Sequence, residues 1–412
     1  MAGAVAAAAA PSAGIELNWP MTSFSRNVPL LAVCQALMMS SNSLIGATSA
    51  LVGLEIASDK SLATLPQALA MVAVMLTTVP AALLMQRIGR KRGFMIATLF
   101  GATGSVLATV AIIKAEFWLF VFAVALVGVF NGFGNYYRFT AADVSDDAHK
   151  SRAVGYVMAG GIAAAFVGPN VAELTRELVP DAPFAGSYAA QLGFYVLSFV
   201  AISFFAFPRK SENSHARSET PARPLKAIAR QPKFVVAVIC GMLSYAIMSL
   251  VMTATPLAMQ SHAHLFEDTS FVIQWHLVGM FAPAFVTGHL IKRFGLFYVM
   301  LTGVLAGFAC VVINLSGTSV GHFWTALVLL GISWSFLFIG ASTLLTETYR
   351  EEERAKTQSA NDFMVFSAVA AASLSAGAIQ TSFGWQAINI SVLPLLLIIL
   401  ISLFWARRQL LR

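Results

Sequence analysis

Long apolar runs recur from one end of the chain to the other, and many of them continue for about twenty residues, the length that crosses a bilayer as a helix. Hydrophobic residues make up 58% of the 412 positions and charged residues only 11%, whereas a soluble domain carries about 25% charged residues. Only helical bundles and closed β-barrels span lipid, because every backbone polar group must be paired there. Barrel strands alternate in polarity, and these runs do not. The sequence therefore predicts an all-α, polytopic membrane protein.

The apolar runs predict twelve transmembrane helices, six on either side of a polar central stretch. The predicted spans are residues 28–52, 62–85, 94–113, 117–137, 153–175, 187–207, 235–258, 269–290, 296–315, 323–346, 358–380 and 386–405. We expect two six-helix bundles, joined by a flexible cytoplasmic linker and flanked by short cytoplasmic tails, of which the first is disordered. The expected segments are the tail 1–27, the first bundle 28–207, the linker 208–234, the second bundle 235–405 and the tail 406–412.

The distribution of lysine and arginine predicts the orientation of these spans. With the N-terminus inside, all but three of the 26 basic residues face the cytoplasm, and the exceptions are Lys60, Lys114 and Arg176. This bias predicts a multi-pass protein of the bacterial inner membrane with both termini in the cytoplasm. Because basic loops that meet anionic lipid explain the net charge of +7, we expect the lipid bilayer and no nucleic acid as a partner.

A short basic loop occurs twice, half a chain length apart. Residues 84–91, after the second span, read LMQRIGRK, and residues 288–295, in and after the eighth, read GHLIKRFG. With twelve spans and a long central loop, this repeat resembles the G-x-L-x-D-R-x-G-R-[RK] loop of the major facilitator superfamily. The resemblance implies two bundles that rock around a site near the midplane of the membrane. The residues that it implies for the conformational loops are Arg87, Gly89, Arg90, Arg293 and Gly295.

The repeat departs from the family pattern at its acidic position. The aspartate of the family is Gln86 in the first loop and Lys292 in the second. Asp362, near the cytoplasmic end of the eleventh span, is a candidate to pair with the basic loop instead. An ordinary acid at a membrane interface is the alternative, since charge at a helix end costs little.

The resemblance also implies that spans one, four, seven and ten line the central cavity. Polar and aromatic side chains occur inside these spans, where a lipid-facing position would be costly. Hydrogen bonding between helices is the alternative explanation for them. The candidate substrate-binding residues, two of them from the eighth span, are Gln35, Asn42, Asn131, Tyr245, Trp275, His276 and Trp334.

Two pairs of soft ligands lie on successive spans: Met248 with Met252, and His276 with Met280. Four-residue spacing places each pair on one helix face, and the opposite directions of the two spans predict that the four side chains converge. Thioether and imidazole groups bind Cu(I), so the four residues, with Cys240, are a candidate copper site. The alternative is sulfur-rich packing around a different cargo.

The four residues and Cys240 resemble the CcoA-like branch of the superfamily, which contains copper importers and RfnT-type riboflavin importers. The copper importers have a second cysteine four residues after the first, but this chain has Ser244 there and offers no dithiol. Riboflavin needs an apolar slot with aromatic faces and a few hydrogen-bonding partners, which the predicted cavity spans provide. We therefore predict a riboflavin importer, with copper import as the alternative.

The sequence lacks the signals of several other classes of protein. The chain has no G-x-x-x-x-G-K-[ST] loop, so ATP is not expected to drive it. It has no nucleophile and base arranged as in an enzyme, and its loops are too short for the output domain of a sensor. We expect a monomeric secondary transporter that is not an enzyme, needs no cofactor and has a small molecule as its partner.

Overall fold

The computed structural model describes residues 23–145, 150–206 and 223–410. This part of the chain contains fifteen α-helices, two 3₁₀ turns (Lys60–Leu62 and Glu351–Glu353) and no strand. The helices are α1 Ser23–Ile56, α2 Leu65–Ile88, α3 Arg90–Ile113, α4 Phe117–Gly134, α5 Tyr137–Asp143, α6 Lys150–Thr175, α7 Ala185–Ser203, α8 Leu225–Ala229, α9 Pro232–Ser261, α10 Phe266–Phe281, α11 Ala284–Phe294, α12 Leu296–Ser316, α13 Val320–Thr346, α14 Arg354–Trp405 and α15 Arg407–Leu410. The predicted all-α fold is confirmed. Most of the predicted first tail and the first part of the predicted linker lie outside the described residues.

Ten of the described helices are long and apolar enough to cross a membrane on their own. The predicted eighth span is broken into α10 and α11, which are bent by 41° next to Pro283, a residue that cannot donate a helical hydrogen bond. The last two predicted spans both lie within the 52 residues of α14, where two helices meet at a kink. At 1.5 Å per residue α14 would extend about 78 Å, far beyond the ~30 Å hydrocarbon core. Dividing α14 at Gly384, which has a φ of 77°, and joining α10 to α11 gives the twelve predicted spans.

The helices pack mainly within two groups. Helix α1 contacts α6 and α7 in the first group, and α9 contacts α13 and α14 in the second. The two groups meet mainly through the helix pairs α2 with α14, α6 with α10, and α1 with α9. These pairs surround the interior space that contains the candidate site.

The two repeated basic loops have the same backbone geometry. Gly89 separates α2 from α3 with φ 86° and ψ 151°, and Gly295 separates α11 from α12 with φ 88° and ψ 153°. A Cβ at either glycine would meet no atom within 4 Å. Glycine is therefore required there by the backbone conformation, which other residues rarely adopt. The repeat seen in the sequence therefore also appears in the φ and ψ angles of the two loop glycines.

We expect Gly89→Ala and Gly295→Ala each to lower the free energy of unfolding by about 1–3 kcal/mol, the usual cost of such a backbone conformation in other residues. Gly193→Ala is the matched control, because Gly193 lies inside α7 and its Cβ would also meet open space. There alanine is the better helix former, so stability should not fall. Thermal unfolding of the purified protein measures all three, and equal losses at all three positions would contradict this reasoning.

The first basic loop forms an ion pair with an acidic residue, but not with Asp362, the candidate proposed from the sequence. Arg90 forms an ion pair with Asp143 and donates a hydrogen bond to the Thr140 hydroxyl at 2.9 Å. Asp362 instead accepts a hydrogen bond from the Asn361 side chain at 3.2 Å. Asp143 follows the fourth span within the same half as Arg90, so this pairing holds α3 and α5 together. The prediction that Asp362 pairs with the first basic loop is therefore wrong.

The end of the linker is anchored to the second group of helices. The Arg223 guanidinium donates to both carboxylate oxygens of Glu353, at 2.8 and 2.7 Å, and to the Thr348 carbonyl at 3.1 Å. These charge-assisted contacts lower the pKa of Glu353 well below its usual range. Lys356 also donates to the Arg223 carbonyl. The chain just before α8 is therefore held against the segment between α13 and α14.

Candidate functional site

A cavity of about 250 Å³ lies between the two groups of helices. It is lined by residues of α1, α2, α4, α5, α6, α9, α10, α13 and α14, and most of its lining is apolar. We call it the central cavity. A concave, mostly apolar space with a few polar groups is the usual form of a small-molecule site.

A second cavity of about 670 Å³ adjoins the first on the side predicted to be cytoplasmic. The two cavities share Asn135, Arg138, Phe338 and Phe366. Arg90, at the start of α3, and Asp143, at the end of α5, line this second cavity, which we call the cytoplasmic-side cavity. These shared residues therefore join the central cavity to a space that leads toward one face of the membrane.

The opposite, outer ends of the two groups are in contact. The Gly377 backbone N–H donates to the Thr64 hydroxyl at 3.1 Å, which brings α14 against the start of α2. The rings of Phe184 and Phe266 pack edge to face with centroids 4.9 Å apart. With the predicted orientation, the structure is therefore open toward the cytoplasm and closed toward the outside.

One side of the central cavity carries a group of amide and hydroxyl side chains, Asn42, Ser49, Gln67 and Asn131, which we call the polar cluster. The Asn131 amide donates to the Asn42 side-chain oxygen at 2.5 Å. Among the described residues, the side-chain oxygens of Ser49, Gln67 and Asn131 are buried without a hydrogen-bond partner. Buried polar atoms normally have partners, so these oxygens are available to a ligand.

Hydrogen bonds on the other faces of α1 orient Asn42 toward the cavity. The Ser41 hydroxyl lies 2.6 Å from the Tyr195 hydroxyl and accepts from the Gln191 amide at 2.8 Å. The Ser43 hydroxyl donates to the Ala164 carbonyl at 3.0 Å. Because neighbouring serines bind α7 and α6, the rotation of α1 is set and Asn42 faces inward.

The other side of the central cavity is aromatic. Trp334 and Phe338, one helical turn apart on α13, stack with centroids 4.9 Å apart and planes 11° apart. Tyr245 meets both rings edge-on, at 5.5 and 5.4 Å. The indole N–H of Trp334 is buried without a partner among the described residues. This group, which we call the aromatic cluster, offers a flat apolar face and one free hydrogen-bond donor.

The predicted substrate-binding residues do not all reach this cavity. Asn42, Asn131, Tyr245 and Trp334 line it, and their role in binding stays a prediction. Gln35 is buried but does not line the cavity. Trp275 packs against Phe271 and Trp324, with centroids 6.3 and 6.2 Å away, and also lies outside the lining.

His276 corrects the expectation that four soft ligands converge. Its Nδ1 donates to the Leu327 carbonyl at 2.8 Å, and the ring is fully buried against α13 instead of lining the cavity. Met280 lines the cavity from the same helix, together with Leu277 and Phe281. Four-residue spacing leaves an offset of about 40° around the axis at 3.6 residues per turn, and here that offset separates His276 from Met280.

Met248, Met252 and Met280 all line the central cavity, so three of the four predicted ligands face the same space. The Cys240 thiol lies 3.7 Å from the Ser402 hydroxyl, buried between α9 and α14 and outside the lining. The described residues contain no group of three or more His, Cys, Asp or Glu side chains suited to a metal ion. The complete set of predicted copper ligands is therefore not assembled.

The cavity residues that were not selected from the sequence include Gln67, Arg138 and Phe338. Phe338 could have been found, because it follows Trp334 by four residues on a predicted cavity helix. Gln67 lies in the second span, which the resemblance does not assign to the cavity. Arg138 was counted only as a basic residue at the cytoplasmic end of the fourth span.

A twelve-span helical fold with an interior cavity between two groups of helices defines a membrane transporter. The sequence profile of the Major Facilitator Superfamily matches residues 31–373 and 237–411, and the chain belongs to this superfamily. The chain is 40% identical over 382 residues to the riboflavin transporter RfnT of Brucella anthropi, covering 93% of this chain and 96% of that protein. The predicted superfamily and its RfnT-type branch are thereby confirmed.

More distant relatives share the fold. The chain is 27% identical over 345 residues to the uncharacterized MFS-type transporter YdeG of Bacillus subtilis, covering 78% of this chain and 77% of that one. The E. coli fucose:proton symporter FucP superimposes with a TM-score of 0.62 at 16% identity, over 93% of this chain and 99% of its own. The nucleoside transporter NupG superimposes with a TM-score of 0.69 at 13% identity, over 91% and 99%. At these identities the two structures support the fold alone.

Proposed function

We propose that this protein imports riboflavin across the bacterial cytoplasmic membrane as a secondary transporter. The observation that carries the proposal is its 40% identity, over 93% of its length, to a protein named as a riboflavin transporter. In major facilitator folds the substrate site lies between two bundles that open alternately to either side. The central cavity occupies that position.

The chemistry of the central cavity supports a flavin as the substrate. Riboflavin joins a flat aromatic ring system to a ribityl chain with several hydroxyl groups. The aromatic cluster offers a stacking face for the ring, and such ring pairs contribute about 0.5–1.5 kcal/mol beyond their buried area. The unpartnered oxygens of the polar cluster can accept hydrogen bonds from hydroxyl groups. The aromatic cluster therefore suits the ring system of riboflavin, and the polar cluster suits its ribityl chain.

The methionines that line the cavity fit the same proposal. Thioether sulfur packs favourably against aromatic rings, so Met248, Met252 and Met280 can surround a flavin ring. A Cu(I) path would call on the imidazole of His276 and the thiol of Cys240 as well. Neither of these residues lines the central cavity, and for that reason we do not propose copper as the cargo.

The proposal includes the membrane topology. The concentration of lysine and arginine on one side supports an inner-membrane protein with both termini in the cytoplasm. The chain acts as a monomer, since each copy contains both groups of helices and its own central cavity. The matching backbone geometry of the two basic loops supports a role in the change between conformations for Arg87, Gly89, Arg90, Arg293 and Gly295.

Uptake in a riboflavin-auxotrophic bacterium that lacks its own importer tests the proposed function. Cells that express this chain should grow at low riboflavin and accumulate labelled riboflavin, while their copper content stays at that of the empty strain. Expression without growth rescue, with the protein present in the membrane, would refute the proposal. Copper accumulation that disappears in Met248→Ala and Met280→Ala would establish the copper alternative instead.

A further inference from the structure

Arg138 occupies the junction between the two cavities. It lies in the first turn of α5, its side chain is exposed to the interior space, and it lines both the central and the cytoplasmic-side cavity. It is the only charged residue among the described residues that line the central cavity. Any solute that moves between the centre and the cytoplasmic side passes this guanidinium.

Among the residues that the structure describes, the Arg138 guanidinium has no hydrogen-bond acceptor. The face of the Phe139 ring lies 4.8 Å from it, and the Asp362 carboxylate is near enough to act on its charge but not within ion-pair distance. By comparison, Arg90 is paired with Asp143, and Arg223 with Glu353. Asp362 lines the cytoplasmic-side cavity with Arg138 but forms no ion pair with it. A cation within a membrane bundle normally has a partner, so Arg138 has an unused capacity of five N–H donors.

The surroundings of Arg138 determine what can use those donors. Phe338 of the aromatic cluster lines the same two cavities, so a ring stacked on this cluster ends beside the guanidinium. The unpartnered oxygens of the polar cluster belong to the central cavity alone. A substrate with one flat end and one hydroxylated end would therefore bind with the edge of its flat end toward Arg138.

The flavin ring system ends in such an edge. Its pyrimidine dione carries two carbonyl oxygens, and each of them lies next to a ring nitrogen that also accepts hydrogen bonds. A planar guanidinium donates two parallel hydrogen bonds to a pair of neighbouring acceptors. We infer that Arg138 binds the dione edge of the flavin and makes the site specific for flavins, an inference that rests on the function proposed above.

A structural role for Arg138 predicts different behaviour. In that case Arg138 would pair with Asp362 in another conformation and act on the rate of transport, whatever the substrate. A residue that binds the dione edge acts on affinity, and only for substrates that carry this edge. Measurements of affinity with altered substrates therefore separate the two roles.

The experiment measures riboflavin binding to the purified full-length protein by the quenching of flavin fluorescence. Arg138→Lys keeps the charge but loses the planar fork, and Arg138→Gln loses the charge. Each should raise the Kd about tenfold or more, as expected when hydrogen bonds to a charged group are lost. Arg230→Lys, an exposed position at the end of α8, is the matched control and should leave the Kd unchanged.

Flavin analogues complete the test. With lumiflavin, which lacks the ribityl chain but keeps the dione, the effect of Arg138→Lys should remain about tenfold, because the same hydrogen bonds are lost. In 2-thioriboflavin and 4-thioriboflavin, sulfur replaces one or the other carbonyl oxygen and accepts hydrogen bonds poorly. The difference between wild type and Arg138→Lys should largely disappear with the analogue whose sulfur replaces the oxygen that Arg138 binds. If neither variant can be purified folded, one of these two analogues must still bind the wild type about tenfold more weakly than riboflavin does.

The outcomes distinguish the two proposals. A wild-type protein that neither binds nor transports riboflavin would refute the proposed function, and this inference with it. A wild type that binds riboflavin, with an unchanged Kd in Arg138→Lys, would refute the inference alone. Equal effects of Arg138→Lys on riboflavin, 2-thioriboflavin and 4-thioriboflavin would also refute it and would assign Arg138 a structural role.

Discussion

Replacing Trp334 with alanine is expected to reduce riboflavin affinity and low-substrate uptake on the order of a hundredfold. The substitution removes a stacking surface that contributes about 0.5–1.5 kcal/mol beyond its area. It also removes an indole N–H whose hydrogen bond to substrate contributes about 0.5–1.5 kcal/mol. Phe338 loses its stacking partner at the same time. Trp334→Phe keeps a ring and loses only the N–H, so its uptake should fall by about tenfold, one 1.4 kcal/mol step.

Trp324→Ala is the matched control for this prediction. Trp324 lies on the same helix, but its side chain is 37% exposed and packs against Phe271 and Trp275, outside the lining of the central cavity. Uptake by Trp324→Ala should remain near that of the wild type, at an equal amount of protein in the membrane. If both variants lose uptake equally, or if Trp334→Ala transports normally, the aromatic cluster is not the flavin site.

The fold could be predicted from the sequence because the bilayer imposes strict limits on length and polarity. About twenty apolar residues are needed per span, so the number of spans follows from hydropathy alone. The non-helical backbone at Gly384, which divides α14, lies within the predicted gap between the last two spans, 358–380 and 386–405. The break after Phe281 has a local signal in Pro283, which has no backbone N–H to donate to a helix that would continue through it.

The candidate site was only partly predictable, because spacing reports which residues share a face but not where that face points. Met280 reaches the central cavity, whereas His276, four residues before it, contacts the Leu327 carbonyl. The rotation of a helix is decided by contacts with its neighbours, such as the bonds from Ser41 and Ser43 that orient α1. Those contacts involve residues far apart in sequence, and no single segment reveals them.

Arg138 shows a second limit of reasoning from sequence. A basic residue near the cytoplasmic end of a span satisfies the rule that positive charge lies inside, and that rule explains its presence completely. In the structure the same residue lines the central cavity without an ion pair among the described side chains. Charge statistics describe the topology of the whole chain, whereas the role of one charge depends on which acceptors lie near it.

A disulfide between Thr64→Cys and Gly377→Cys is expected to stop transport completely and reversibly. The Thr64 hydroxyl and methyl groups lie 2.6 and 3.1 Å from the position that a Cβ at residue 377 would occupy, so two thiols placed there are within bonding reach. Opening toward the outside requires α2 and α14 to separate at this contact. Oxidation of the double variant should therefore reduce riboflavin uptake to background, and a reductant should restore it.

The two single variants are the controls, and neither should respond to oxidant, because the native Cys34, Cys240 and Cys310 are free and buried. The oxidised double variant should still bind riboflavin when the purified protein is tested in detergent, since the central cavity adjoins the open cytoplasmic-side cavity. Retained binding with lost uptake would show that the cross-link blocks a movement and does not unfold the protein. Full uptake by protein shown to be cross-linked would mean that α2 and α14 stay together throughout transport, and the alternating opening of the two halves would be refuted.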